Sequence, residues 1–194
     1  MTASLYLMRH GQTRFNAQHR MQGSSDSRLT KLGVKQVEAT RDYFIKHGIE
    51  FNKAYCSTQE RASETLEIVT NHQLDYERIK DLREKDYGFF DGKKNFLWVF
   101  HHFLVRPKVE DNHDVVERME RGMNLVLRDA QDGDKILVVG HGDSLSQYIR
   151  AKSGNTKFKG FQNAQFVKLV TDGQTIDYDS TVWPAKNVRL GLSE

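Results

Sequence analysis

The sequence holds a single cysteine, Cys56, among its 194 residues. One thiol makes no intramolecular disulfide and no cysteine-based zinc site, so neither staple is available to hold the fold. A chain of this length needs neither, because it buries most of its apolar surface unaided. Prolines number two, Pro107 and Pro184. No Pro/Gly/Ser-rich linker, repeat or low-complexity tract divides the chain, which reads as one domain over 1–194. Long hydrophobic runs are missing as well. The apolar start Leu5-Tyr6-Leu7-Met8 meets Arg9-His10 at once, too soon for a signal h-region or a membrane span. The expectation is a soluble, cytoplasmic protein with no membrane partner. Charge of neither sign dominates, since 29 basic and 26 acidic residues leave +3. That excess suits a small anionic molecule and falls short of the dense basic face that holds nucleic acid. Disorder is excluded by composition: 38% hydrophobic residues and 14 glycines reach the globular range of roughly 45–50% apolar.

What is present alternates between strand and helix. Residues 4–8 read as a buried strand. Thr30 reads as an N-cap, with Val34, Val37 and Phe44 following at helical spacing. Residues 51–56 form a second short strand, and Ala62, Thr65, Leu66 and Val69 mark the next helix. A strand is expected at 79–82. The apolar and aromatic run at 96–105 reads as helix or lid. Asp114 is expected to cap a helix whose face is Val116, Met119, Met123, Val126 and Ala130. A buried strand at 135–139 and a helix at 144–152 follow. Asp172-Gly173 between alternating runs at 166–170 and 175–178 is a hairpin signal, and 180–194 reads as irregular. The alternation predicts an α/β fold around a mostly parallel sheet, with an antiparallel strand at one edge.

Two of these strands end alike. The first runs into Arg9-His10-Gly11, and the strand at 135–139 runs into Gly140-His141-Gly142. Ligands of open α/β sheets gather outside the carboxyl ends of the strands, so both histidines should face one pocket. Glycine after each lets the backbone approach a ligand closely. A third strand, ending at Cys56, feeds Ser57-Thr58-Gln59-Glu60-Arg61 and sets Arg61 in the first turn of a helix, where N–H groups favour anions. Arginine forks bind phosphate oxygens bidentately. Alone, a histidine beside a strand end is structural and an early helical arginine is a surface charge. Two arginines, two histidines and a helix N-terminus together fit a phosphoryl group.

These residues carry a resemblance to the histidine phosphatase superfamily, also called the phosphoglycerate mutase-like family. It begins with Arg9-His10-Gly11-Gln12-Thr13-Arg14-Phe15-Asn16 and continues through Gln22-Gly23, Asp26, Leu29-Thr30, Gly33 and Gln36. Ser57, Arg61, Ala62 and Thr65 follow, then Leu82-Arg83-Glu84, Tyr87-Gly88 and Asp91-Gly92, and His141-Gly142 closes it. The resemblance implies a three-layer α/β/α sandwich with a small helical or lid insertion at about 93–113. It implies His10 as the nucleophile that becomes phosphohistidine, and a clamp of Arg9, Arg61 and His141 on the phosphoryl oxygens. Asn16 and the Gly142 N–H would add neutral donors. Glu84 matches the family's proton donor, and Tyr87 with Gln22-Gly23 would line the substrate side. No metal and no cofactor is expected.

Residue type alone leaves rivals open. Glu84 sits in a charged stretch, 81–86, where Asp86 is the competing acid. Asn16 has the alternative of capping a turn. His101-His102 lacks spaced partners for a metal, and Phe96, Trp98, Phe100 and Phe103 read as packing or as a substrate wall. Where many family members have Gly-Glu-Ser before the late helix, this chain has Glu110-Asp111-Asn112-His113-Asp114, which puts the contacts around Glu84 in question.

The same site serves phosphatases and mutases. Family mutases that use a cofactor resemble longer chains, with a larger insertion carrying adjacent arginines and a C-terminal tail over the site. Here 93–108 has a single Arg106, and the stretch after Tyr178 is short. The expected function is therefore metal-independent hydrolysis of a small phosphomonoester through phosphohistidine, with cofactor-dependent phosphoglycerate mutase as the alternative. A phosphate-binding module without catalysis is opposed by the intact set Arg9, His10, Arg61, Glu84 and His141. A serine esterase rests only on Gly142-Asp143-Ser144-Leu145, which comes late in the chain and lacks the G-x-S-x-G elbow. Gly140-x-Gly142 lacks the third glycine of a dinucleotide loop, and no P-loop occurs. Oligomeric state is not legible.

Overall fold

The structure, a computed structural model, describes residues 2–94 and 108–190. Its six-stranded sheet has the order β3-β2-β4-β1-β5-β6. The strands are β1 (Ala3–Arg9), β2 (Lys53–Ser57), β3 (Glu77–Ile79), β4 (Lys135–Gly140), β5 (Phe166–Thr171) and β6 (Ile176–Val182). β3, β2, β4 and β1 pair in parallel. β5 runs antiparallel to β1, and the β5–β6 hairpin closes that side.

Three layers follow from the alternation of side chains along each strand. Leu5 and Leu7 of β1, with Ile136 and Val138 of β4, pack against α4 (Asn112–Arg128) and α5 (Gly142–Lys152). Tyr6 and Met8, with Leu137 and Val139, pack against α2 (Lys31–Lys46) and α3 (Glu60–Val69). Strands covered on both faces read as continuous apolar runs, and that is how β1 and β4 stand out in sequence. Thr30 caps α2 as expected, its hydroxyl accepting from the Gly33 N–H at 2.9 Å. The short α1 (Arg14–Ala17) is capped by Thr13.

Several boundaries differ from the sequence expectation. Asp111, not Asp114, caps α4, because its carboxylate accepts the His113 N–H at 2.7 Å. Val115 is then fully buried and Val116 only partly. Residues 79–82 are not a strand: β3 ends at Ile79, and Lys80–Leu82 is a 3₁₀ turn. The stretch from 180 is not irregular throughout, since β6 continues to Val182 and a 3₁₀ turn over Pro184–Asn187 buries Ala185 against the α2 face. The aromatic run at 96–105, His101-His102 and Arg106 lie outside the described residues. No helix among the described residues is long and apolar enough to cross a membrane.

Candidate active site

β1 and β4 align with Arg9 opposite Gly140, and the His10 N–H donates to the Gly140 carbonyl at 3.1 Å. The next residue on each strand is a histidine, and the two rings stand 5.3 Å apart at 60°. The turn after His10 passes close to α2. A Cβ on Gly11 would stand 2.7 Å from the Gly33 carbonyl, and one on Gly33 would stand 2.1 Å from that of Gln12, so neither position accepts a side chain.

His10 is 3% exposed. Its Nδ1 lies 2.7 Å from the Gly11 carbonyl. A carbonyl only accepts, so Nδ1 carries the proton and Nε2 keeps its lone pair. Arg61 donates Nε–H to that lone pair at 3.3 Å. Burial, reinforced by the Arg61 and Arg9 cations, holds His10 well below the ordinary imidazole range. The ring is therefore neutral, with a nucleophilic nitrogen.

Arg61 is 1% exposed and its guanidinium is held by one loop. Nη2 donates to the Gly23 carbonyl at 3.1 Å, and Nη1 donates to the Ser25 carbonyl at 2.9 Å and to Asp26 at 3.0 Å. Asp91 shapes that loop by accepting from the N–H groups of Gly23 (2.8 Å) and Ser25 (2.6 Å) and from the Ser24 and Ser25 hydroxyls. Burial raises the Asp91 carboxyl, and these donors outweigh it, leaving it below its ordinary value. Gly23 is compelled by contact: a Cβ there would meet the Lys85 carbonyl at 2.5 Å.

Glu84 is 7% exposed and sits at the N-terminus of α5. Its Oε1 accepts from the N–H groups of Ser144 (2.8 Å) and Lys85 (2.9 Å), and Oε2 from that of Asp143 (3.1 Å). The His141 side chain makes no cap, so this carboxylate serves in its place. Gln59 ties Glu84 to the loop that holds Arg61, accepting the Glu84 N–H at 2.9 Å and donating to the Gly23 carbonyl at 2.5 Å. Behind Glu84, the buried Arg118 makes a two-pronged pair with Glu110 at 2.6 and 2.9 Å. It also donates to the carbonyls of Asp81 (2.9 Å) and Arg83 (2.7 Å). Glu110 and Asp111 thus supply a support and a cap where the family's Gly-Glu-Ser is absent.

A cleft of about 570 Å³ opens over this floor, and Arg9, His10, Asn16, Gln22, Glu84, Tyr87 and Gly142 all line it. Tyr87 donates to Asp143 at 3.1 Å, and burial, with Glu84 and Asp143 nearby, pushes its hydroxyl up. Asn16 does cap a turn: it forms a reciprocal pair with Thr13 while facing the cleft. Gln22 accepts from the Thr13 hydroxyl at 2.7 Å. Arg61, His141 and Gly23 are not among the lining residues. Arg61 and His141 lie buried against His10, and Gly23 acts on Arg61 through its carbonyl.

Four buried polar atoms lack a partner among the described residues: Arg9 Nε, both ring nitrogens of His141, and Ser144 Oγ. Buried polar groups are normally satisfied, so Arg9 Nε and the His141 ring, beside His10, mark a place for an oxygen-rich anion. Burial, with Arg61, His10 and Arg9, keeps His141 well below the ordinary imidazole range. Ser144 is fully buried and does not line the cleft, a poor position for an esterase nucleophile. The roles of Gln59, Arg118 and Asp91 escaped sequence reasoning, as did four further cations at the cleft: Arg20, Lys85, Arg150 and Lys159.

A model of the histidine phosphatase superfamily (branch 1) matches residues 5–183. The chain is 29% identical over 174 residues to a 2,3-bisphosphoglycerate-dependent phosphoglycerate mutase of Rhizobium etli, covering 81% of this chain and 82% of that one. A crystal structure of phosphoglycerate mutase from Bacillus anthracis superposes with a TM-score of 0.82 at 27% identity, covering 92% of each chain. A mycobacterial glucosyl-3-phosphoglycerate phosphatase shares the fold, with a TM-score of 0.77 at 22% identity over 93% of this chain and 98% of that one.

Proposed function

Because the chain belongs to the histidine phosphatase superfamily (branch 1), we propose that it hydrolyses a small phosphomonoester through a phosphohistidine on His10. The observation that carries this reading is the pairing of a neutral His10 with unpartnered buried groups, Arg9 Nε and the His141 ring, beside it. His10 Nε2 attacks phosphorus and the ester P–O bond breaks. Glu84 gives its proton to the leaving alkoxide. A water then attacks phosphorus, the P–N bond breaks and returns its electron pair to neutral His10, and Glu84 takes the water's proton, which regenerates the acid. Arg9, Arg61 and His141 stabilise the charge on the phosphoryl oxygens, with Asn16 and the Gly142 N–H as neutral donors. Oε2 of Glu84, with one N–H donor rather than two, is the oxygen assigned the proton.

Hydrolysis is favoured over transfer to a second substrate because a mutase must shield its phosphohistidine from water. Among the described residues none of 183–190 lines the cleft, and 93–108 carries a single arginine, Arg106, with no adjacent pair for a second substrate group. The second reading, a 2,3-bisphosphoglycerate-dependent mutase, is favoured by the activity for which the Rhizobium etli relative is named. A cytoplasmic metabolite fits either, without a nucleic-acid or membrane partner.

Phosphate release in excess EDTA from p-nitrophenyl phosphate and 3-phosphoglycerate, with His10→Ala as control, separates the two. EDTA-resistant release that vanishes in His10→Ala is expected. Interconversion of phosphoglycerate isomers primed by 2,3-bisphosphoglycerate, without net phosphate release, would replace this reading with the mutase.

A further inference from the structure

The transferred phosphoryl group is served by Arg9, Arg61 and His141, yet the cleft presents four more cations. Among the described residues none of Arg20, Lys85, Arg150 and Lys159 is paired with a carboxylate. The carboxylates that line the cleft are Glu84 and Asp143. The first is engaged by three backbone N–H groups, and the second accepts from Tyr87 and Gln147. Unpaired cations around one concave site raise the local concentration of anions.

Two of the four belong to a built arrangement. Arg150 is on α5 and half-buried. Its Nη1 donates to the Phe158 carbonyl at 3.1 Å, next to Lys159 in the chain. Three residues further on, the Phe161 carbonyl accepts from Arg9 Nη1 at 2.8 Å. One short loop is thus pinned by a guanidinium at each end, with the phosphoryl-site arginine at one and Arg150 beside Lys159 at the other. Gly160 turns the loop between them, at φ +104°. Three residues reach at most about 10 Å, so the two pinned carbonyls lie within the span of a small metabolite. Lys159 and Arg20 are both exposed, but Arg20 donates to the Gly92 carbonyl and Lys85 to Asn112, so neither belongs to the loop that Arg9 and Arg150 hold.

We propose that Arg150 and Lys159 form a second anion subsite, which holds a carboxylate or phosphate at the end of the substrate remote from the transferred phosphoryl group. The inference rests on the phosphomonoesterase reading for its reaction but not for its binding. It assigns selectivity to α5 and the 158–161 loop.

The test uses matched pairs on the full chain. 6-Phosphogluconate and sorbitol 6-phosphate, both open chains, differ in a terminal carboxylate, and fructose 1,6-bisphosphate and fructose 6-phosphate differ in a second phosphate. The wild type should favour the more anionic member of at least one pair by about tenfold or more in kcat/KM, the scale of one charge-assisted hydrogen bond. Which pair responds tells carboxylate from phosphate. In Arg150→Gln/Lys159→Gln that ratio should fall toward one, and in Lys159→Gln alone it should fall part of the way. Each ratio is taken on a single protein preparation, so partial loss of folding cancels from it. A wild type indifferent to both pairs, or a ratio that survives the double substitution, overturns the subsite. Should no ester be turned over, the phosphatase reading fails separately. Calorimetric titration of the same pairs then reads the subsite by the same affinity ratios and the same criteria.

Discussion

The Nε–H of Arg61 points at Nε2 of His10 across 3.3 Å. Arg61 therefore guards the lone pair of His10, and the opposite ring nitrogen is fixed by the Gly11 carbonyl. Proton position, ring orientation and charge follow from these two contacts, and the predictions below begin there.

His10 should be a neutral ring with its proton on Nδ1 at the ordinary imidazole pKa of about 6.5, where an exposed histidine is half charged. Ring ¹⁵N–¹H correlation spectra of the free protein across this pH range read the tautomer directly. A His10 signal titrating at the ordinary value would remove the basis for a neutral nucleophile.

Stability should fall with acid. His10 and His141 are both depressed in the fold, so below about pH 6.5 the unfolded chain binds protons that the folded chain refuses. The contribution is complete above that pH and is lost as pH falls toward the folded values, at up to about 1.4 kcal/mol per pH unit for each histidine. Urea unfolding of the wild type and His141→Gln, followed from neutral to mildly acidic pH, should show the smaller decrement in the variant. Equal decrements would mean that His141 titrates alike in the folded and unfolded chain and is not depressed.

Glu84→Gln should slow alkyl phosphates by about 100-fold or more. p-Nitrophenyl phosphate, whose leaving group needs little protonation, should lose much less in the burst of nitrophenolate. The substitution also turns an amide N–H toward the N–H groups that Glu84 accepts at the start of α5, so a drop in melting temperature is expected alongside. Equal losses on both esters in that first step would remove the general-acid role.

Asp91→Ala should lower kcat about tenfold by releasing the loop that holds Arg61. Added to Arg61→Ala, it should cost little more, because residues acting through one group are not additive. Independent, multiplying losses would show that Asp91 acts elsewhere.

The strands that carry the histidines were legible because each is a run buried on both faces and ends in His-Gly, and Thr30 and Asp172-Gly173 announced their cap and turn through local chemistry. Other features depend on approach in space. Gln59 bridges Glu84 and Gly23, yet in sequence it is one polar residue before a helix. Gly23 has no side chain to show that its carbonyl holds an arginine. Asp111 and Asp114 are both plausible caps, and only the placement of α4 against the sheet selects the first. β6 carries Asp177, Asp179, Ser180 and Thr181, and its polar, partly exposed register hid the strand beyond 180. Arg118 is a charged residue on the buried face of α4, where periodicity alone expects an apolar one.

The placement of β1 between β4 and β5 has a consequence for biosynthesis. Of the six strands the one bearing His10 is made first, and both of its sheet neighbours, β4 and β5, come after β2 and β3. Until they emerge, Leu5, Leu7 and Met8 have no lateral partner, and the two histidines are far apart. Parallel pairing at such separation in sequence is slow, and the waiting strand is a natural client for chaperones. The pocket that brings His10 and His141 together therefore forms only once β1 and β4 have paired.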